Sequence, residues 1–229
     1  MAEIKPIAYI HNDFKEKFGI PRQSGRVSVI KSRIVFEPAF RVKEALRGIE
    51  EFSHIWLIFD FSESHRENWL PTVRPPRLGG NKRIGVFASR SPFRPNSLGL
   101  SCVKLIEVVK TENEGDALIV SGADLLDGTP IYDIKPYIPY SDCVPDAIGS
   151  FAEENKAHRL QVIFKKDFSK NFDTDFLNSV EECIADDPRP SYQNDNKRVY
   201  NMRFGNYDIS FTVTDSTASI IDINMIDEV

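Results

Sequence analysis

Trp56-Leu57-Ile58-Phe59-Asp60-Phe61 is short, rich in aromatic and β-branched residues and bounded by turn residues, the signature of a strand. Arg83 to Ala88, Val103 to Val109 and Ala117 to Leu125 share that character, and Ile7-Ala8-Tyr9-Ile10 and Ser28-Val29-Ile30 are shorter candidates. One helix interrupts them: Phe40, Ala45, Leu46, Ile49 and Phe52 share a face at near-helical spacing, roughly between Pro38 and Gly48. Several strands with few helices to cover parallel crossovers predict a mainly β fold, a small barrel or a strongly curved sheet.

Pro136, Pro139, Pro145 and the small residues around Ser150 break this pattern, which predicts a first domain over 1–145 and a second over 146–229. In the second, Phe176, Leu177, Val180, Cys183 and Ile184 form a helical stripe, stopped by Asp186-Asp187-Pro188-Arg189-Pro190 because proline cannot continue a helix. Strands follow over Arg198–Phe204, Tyr207–Thr214 and Ala218–Ile226, the first two joined by the hairpin dipeptide Gly205-Asn206. This is a smaller α+β domain with an antiparallel meander. At 229 residues and 41% hydrophobic, the chain can bury cores for both.

No stretch approaches the roughly 18 uninterrupted apolar residues of a membrane span, and the first residues lack the apolar core of a secretion signal. Cys102, Cys143 and Cys183 are widely spaced, and the four histidines show no ligand spacing. The expectation is a cytoplasmic protein without metal or membrane attachment.

Charge is sharply segregated. From Asn68 to Ile106 there is no acidic residue, while Arg74, Arg77, Lys82, Arg83, Arg90, Arg94 and Lys104 give the window +7 in a chain of net charge −5. Such a cluster marks where an anion must sit. Within it runs Gly85-Val86-Phe87-Ala88-Ser89-Arg90-Ser91-Pro92-Phe93-Arg94-Pro95-Asn96-Ser97-Leu98-Gly99-Leu100-Ser101. Pro92 and Pro95 stiffen it into a platform projecting Arg90, Arg94 and Asn96, with guanidinium forks for carboxylates or phosphates and Phe93 available to stack on a base.

Asp124-Leu125-Leu126-Asp127-Gly128-Thr129-Pro130-Ile131-Tyr132-Asp133-Ile134-Lys135-Pro136-Tyr137 places three carboxylates within ten residues, suited to a cationic ligand or to proton acceptance. Pro21-Arg22-Gln23 follows the first strand, Trp69 to Arg77 forms an extended edge to the basic face, and Asp187 to Tyr192 reads equally well as a helix stop or a site element. No dinucleotide fingerprint, P-loop, nucleophile elbow or zincin motif is present. A rigid cationic loop facing an acidic turn fits RNA and a small zwitterionic ligand. A non-enzymatic RNA-binding module would explain the charge but not the Asp-Gly-Thr-Pro string or the Pro-Arg-Gln.

The strings Lys15 to Gln23, Arg74 to Gly80, Gly85 to Ser101, Asp127 to Tyr137 and Asp187 to Tyr192, in order through both domains, resemble the TsaA-like/TrmO family. That resemblance implies an S-adenosylmethionine-dependent methyltransferase acting on the exocyclic N6 of threonylcarbamoyladenosine at position 37 of threonine tRNA. It further implies a non-Rossmann N-terminal β-barrel, a homodimer, and contact with the anticodon arm. Carried over by position, Pro21, Arg22, Gln23, Ser62, Arg90, Leu100, Asp124, Leu125, Leu126, Asp127, Gly128 and Thr129 bind the cofactor. Asp133 is the expected proton acceptor and Asn96 the orienting group, while Arg74, Arg77, Lys82, Arg83 and Arg94 hold RNA phosphates. The chain departs from the family pattern at Ser97-Leu98, where Pro-Ile is usual, and at Ser62, where many members have His.

Overall fold

The structure, a computed structural model, describes residues 3–75, 78, 82–154, 157–190, 193 and 195–226. Six strands close into an antiparallel barrel: β1 (Ala8–His11), β2 (Lys31–Phe36), β3 (His54–Asp60), β6 (Leu98–Thr111), β7 (Gly115–Ser121) and β8 (Pro130–Pro136). Their order around the ring is β1-β2-β7-β6-β3-β8, and β8 returns to β1 through Ala8 opposite Ile131. Two-residue strands β4 (Thr72–Val73) and β5 (Ile84–Gly85) make a separate ribbon. Side chains alternate across each strand, so Ile10, Ile34, Ile55, Leu57, Leu118, Val120 and Ile131 fill the interior and are fully buried. Closure leaves no exposed edge along the ring.

Several expected elements take another form. Residues 28–30 are loop, and the strand starts at Lys31, where Ser32 and Ile34 turn inward. The helix expected between Pro38 and Gly48 is replaced by three short 3-10 turns, Pro38–Phe40, Lys43–Leu46 and Ile49–Glu51. Val42 is extended and Gly48 sits at φ +84°, each breaking the i to i−4 ladder, and Phe40 remains exposed. The run Arg83–Ala88 yields only β5 and the 3-10 turn Val86–Ala88, because Val86 N–H bonds the Pro71 carbonyl instead of a neighbouring strand. β7 stops at Ser121, since Gly122 lies at φ +78°.

Helices α1 (Pro139–Asp142) and α2 (Phe151–Glu154) are single turns leading to β9 (Gln161–Phe164) and α3 (Thr174–Ala185). Asp173 caps α3 by accepting the Phe176 N–H at 2.8 Å. The meander β10 (Val199–Phe204), β11 (Tyr207–Thr214) and β12 (Thr217–Met225) is extended by β9, which pairs parallel to β12.

Val180, Cys183 and Ile184 pack α3 onto this sheet, and the same core takes in Phe14, Val27 and Ile30 from between β1 and β2. Segment 12–30 therefore leaves the barrel and returns anchored to the second core. Phe14 meets Phe204 edge-on at 6.0 Å, and Gly19, at φ +100°, lies so close to β10 that a Cβ there would be 2.6 Å from Met202. This excursion carries one wall of the site.

Candidate active site

A cavity of about 490 Å³ opens where that excursion meets one end of the barrel. Pro21, Arg22 and Gln23 form one wall. Phe59, Asp60 and the turn at Ser62–Ser64, at the end of β3, form the second. Arg90, Arg94 and the first residues of β6, including Gly99, Leu100 and Ser101, form the third. Asp124, Leu125, Leu126 and Thr129, in the β7–β8 connection, form the floor. Most of the residues carried over for cofactor binding thus converge from four separate segments.

Asp124 is the central group. Its Oδ1 accepts the Ser101 hydroxyl at 2.5 Å. Burial pushes its carboxyl above the ordinary value, against the hydrogen bonds from Ser101 and the Ser24 backbone and the charge of Arg90. Arg90 in turn donates through Nη1 to Gln23 Oε1 at 2.6 Å, so its guanidinium is oriented without its charge being neutralised there. A carboxylate and an oriented guanidinium face a common space walled by Phe59, Leu98 and Leu100, an arrangement complementary to a zwitterion with an apolar body.

Asp60 was not singled out from the sequence. It lines the cavity, is only 7% exposed, and accepts from His65 Nε2 at 2.7 Å. Burial first, and Asp60 after it, push the Tyr132 hydroxyl up. A polar residue ending an aromatic strand is the sequence signal for Asp60, but its partner His65 lies beyond a turn that the sequence does not reveal.

Other expected residues lie elsewhere. Asp127 and Gly128 sit at the back of the floor, outside the lining. Asp127 accepts from Lys15 Nζ at 2.7 Å and the Asn12 N–H at 3.0 Å, and Gly128 N–H bonds the Ile10 carbonyl at 2.8 Å. Those bonds hold the turn against β1. Asp133 is on β8, also outside the lining, with its carboxylate against Lys135 Nζ at 2.9 Å and the Ile134 N–H. Asn96 is exposed and does not line the cavity.

Arg94 turns inward, its Nη1 donating to the carbonyls of Val86 at 3.2 Å and Ser89 at 2.7 Å, so it braces the loop. Arg74, Lys82 and Arg83 are exposed outside the cavity, and Arg77 lies outside the described residues. One face of the Phe93 ring is covered by the Arg66 guanidinium at 3.7 Å. An exposed aromatic pair is formed by Phe87, 73% accessible, and Trp69, 47% accessible, at 6.1 Å between ring centres. Among the described residues no cluster of three or more His, Cys, Asp or Glu is placed to hold a metal. No helix among them is long and apolar enough to cross a membrane.

Two family models match the chain: the tRNA-methyltransferase O N-terminal domain over residues 9–143 and the TrmO C-terminal domain over 157–226. The tRNA (adenine(37)-N6)-methyltransferase of Escherichia coli (strain K12) is 38% identical over 222 residues, covering 93% of this chain and 94% of that protein. A Pseudomonas aeruginosa protein, provisionally named S-adenosylmethionine-dependent methyltransferase RcsF, is 39% identical over 216 residues, 90% of each chain. The crystal structure of TrmO from Pseudomonas aeruginosa superposes with a TM-score of 0.77 at 31% identity, over 98% of this chain and 99% of that one.

Proposed function

This chain belongs to the TrmO family of tRNA methyltransferases, and on that premise we propose that it transfers a methyl group from S-adenosylmethionine to N6 of adenine 37 in tRNA. The finer reading, part of the same proposal, is that this adenine carries a threonylcarbamoyl group, in threonine tRNA. It includes docking of the anticodon arm, a homodimer as the assembly and a cytoplasmic setting.

The observation that carries the cofactor assignment is the pairing of Asp124 with Arg90 across one cavity. The residues present fit S-adenosylmethionine: Asp124 suits its ammonium, Arg90 its carboxylate, and Phe59 and Leu100 its apolar surface. When bound, the cofactor supplies an electrophilic methyl group on a sulfonium. The protein's contribution is chiefly alignment of the nitrogen with that methyl, a matter of several kcal/mol. Leu125 and Phe59, both buried, keep water from the floor.

The attacking nitrogen must lose a proton, because its lone pair is delocalised into the purine and the urea-like carbonyl. Asp133, paired with Lys135 outside the lining, is poorly placed to take it. We assign proton acceptance to Asp60, which lines the cavity and is linked through exposed His65 to solvent. Asn96 has no place in the lining from which to orient the base.

Arg74, Lys82 and Arg83 supply phosphate contacts, with Phe87 and Trp69 as the stacking surface beside them. A bare RNA-binding module would account for this face, but it has no use for a buried carboxylate at the bottom of a cavity. Calorimetric titration with S-adenosylmethionine separates the readings: the proposal requires saturable binding that Asp124→Asn weakens, and a pure RNA binder shows none.

A further inference from the structure

The motif after α3 is more than a helix stop. Asp186 caps α3 and accepts the Arg22 backbone N–H at 3.3 Å, and Arg26 bonds its other oxygen. Beyond it the chain bends through Asp187, which sits at φ +52°, a left-handed conformation uncommon for a residue with a side chain. Arg189 grips both Asp187 oxygens, at 2.8 and 3.1 Å, and His158 Nε2 adds a third contact at 2.8 Å. Asp186, Asp187 and Arg189 are buried at 3, 8 and 8% exposure.

The consequence of this bend is a bowl of carbonyls. The oxygens of Asp187 at 3.4 Å, Pro188 at 3.3 Å and Arg189 all converge on one nitrogen of the Arg22 guanidinium. Arg22 is next to Gln23, and Gln23 orients Arg90 at 2.6 Å inside the cavity. A continuous set of bonds therefore runs from the second domain to a charge in the cofactor site, through the segment whose excursion from the barrel is anchored in the second core.

We propose that Asp187, Arg189 and Arg22 are positioning residues that make the C-terminal domain a structural part of the cofactor site. The carbonyl bowl at Asp187–Arg189 locks Arg22, Arg22 fixes Gln23, and Gln23 aims Arg90 at the cofactor carboxylate. This rests on the proposed cofactor reading. The barrel alone would keep Asp124 and Ser101 but leave Arg90 unaimed, so losing the bowl weakens cofactor capture more than turnover.

The test uses the full-length protein with Asp187→Asn, Arg189→Lys and Asp187→Glu, each checked by circular dichroism. Asp187→Asn and Arg189→Lys should raise KM for S-adenosylmethionine by roughly tenfold with kcat changed less than about threefold, and Asp187→Glu should restore part of the affinity. A cycle combining Arg189→Lys with Arg90→Lys should give a less than additive loss of cofactor affinity, since both disable one device. Equal cofactor affinity in a folded Asp187→Asn, or full additivity in the cycle, would overturn the proposal.

Hydrogen exchange in the cofactor-free protein reads the same coupling if the cofactor reading itself fails, which a wild type without saturable binding would reveal. Asp187→Asn should then speed exchange at the Arg22 and Gly25 amides by about tenfold, a change expected when local opening becomes easier. Unchanged exchange there would refute the coupling whatever the ligand.

Discussion

Gly99→Ala is the most informative single change to the cavity wall. Gly99 on β6 stands opposite Phe59 on β3, and the missing side chain lets the Phe59 ring lie across the strand. An added Cβ would stand 2.7 Å from Phe59 Cε1 and nearer still to Cζ and Cε2. That ring cannot easily swing aside, being 2% exposed and edge-on to Phe61 at 5.0 Å. Overpacking of this kind costs about 1–3 kcal/mol. For a chain of this size about 1 kcal/mol shifts Tm by roughly 2–4 °C, so Gly99→Ala should lower it by roughly 2–12 °C. The relief available to the ring is toward the cavity, so affinity for S-adenosylmethionine should also fall. Gly85→Ala is the control: nothing lies within 4 Å of its added Cβ and its φ is −60°, so stability should hold or rise slightly. Thermal unfolding and calorimetric titration of both variants read the contrast. If Gly99→Ala behaves like Gly85→Ala in both, the Phe59 wall is not built as described.

Asp124→Asn keeps the shape of the floor but removes a charge, and should cost roughly 1.5–3 kcal/mol of cofactor affinity, about tenfold to about 150-fold, by titration. Because burial raises the Asp124 pKa, its ionised form fades as pH falls through a range above that of an ordinary carboxylate, and wild-type cofactor affinity should decline there while Asp124→Asn stays flat. In single-turnover methylation, Asp60→Asn should slow the chemical step on the order of a hundredfold or more with cofactor affinity little changed, whereas Asp133→Asn should stay near wild type; the reverse pattern would return the proton to Asp133. With Arg74, Lys82 and Arg83 each neutralising one phosphate, log affinity for tRNA should fall with log salt at a slope of roughly −2 to −3, and a flat response would remove them from the interface.

The barrel was legible where β-branched and aromatic residues are concentrated in short runs between turn residues, as in Trp56–Phe61 and Val103–Val109. It was obscured at β2, where Lys31 and Arg33 break up the apolar run because they face outward on a ring, and at β8, where Pro130 and Pro136 frame a strand that reads as a turn. Helical spacing around Phe40 and Leu46 was real, but too few of those residues are buried to hold a helix across an extended Val42. Motif strings picked out Pro21, Arg90 and Asp124, and the fold brings all three to the wall of one cavity. Proximity in sequence misled where strand alternation decides: Asp133 is near Asp124 along the chain, yet β8 turns it toward Lys135. Asp60 and the Asp187–Arg189 bowl depend on partners 5 to 167 residues away, which no local pattern encodes.

Delivery of a methyl group to tRNA is the activity proposed for this cavity. Incubating the protein with methyl-labelled S-adenosylmethionine and tRNA, with and without the threonylcarbamoyl group at position 37, tests it most directly. Label should appear on N6 of adenine 37 of the threonylcarbamoylated tRNA and be abolished or strongly reduced by Asp124→Asn. Tight tRNA binding with no label transferred by the wild type would contradict the proposed activity.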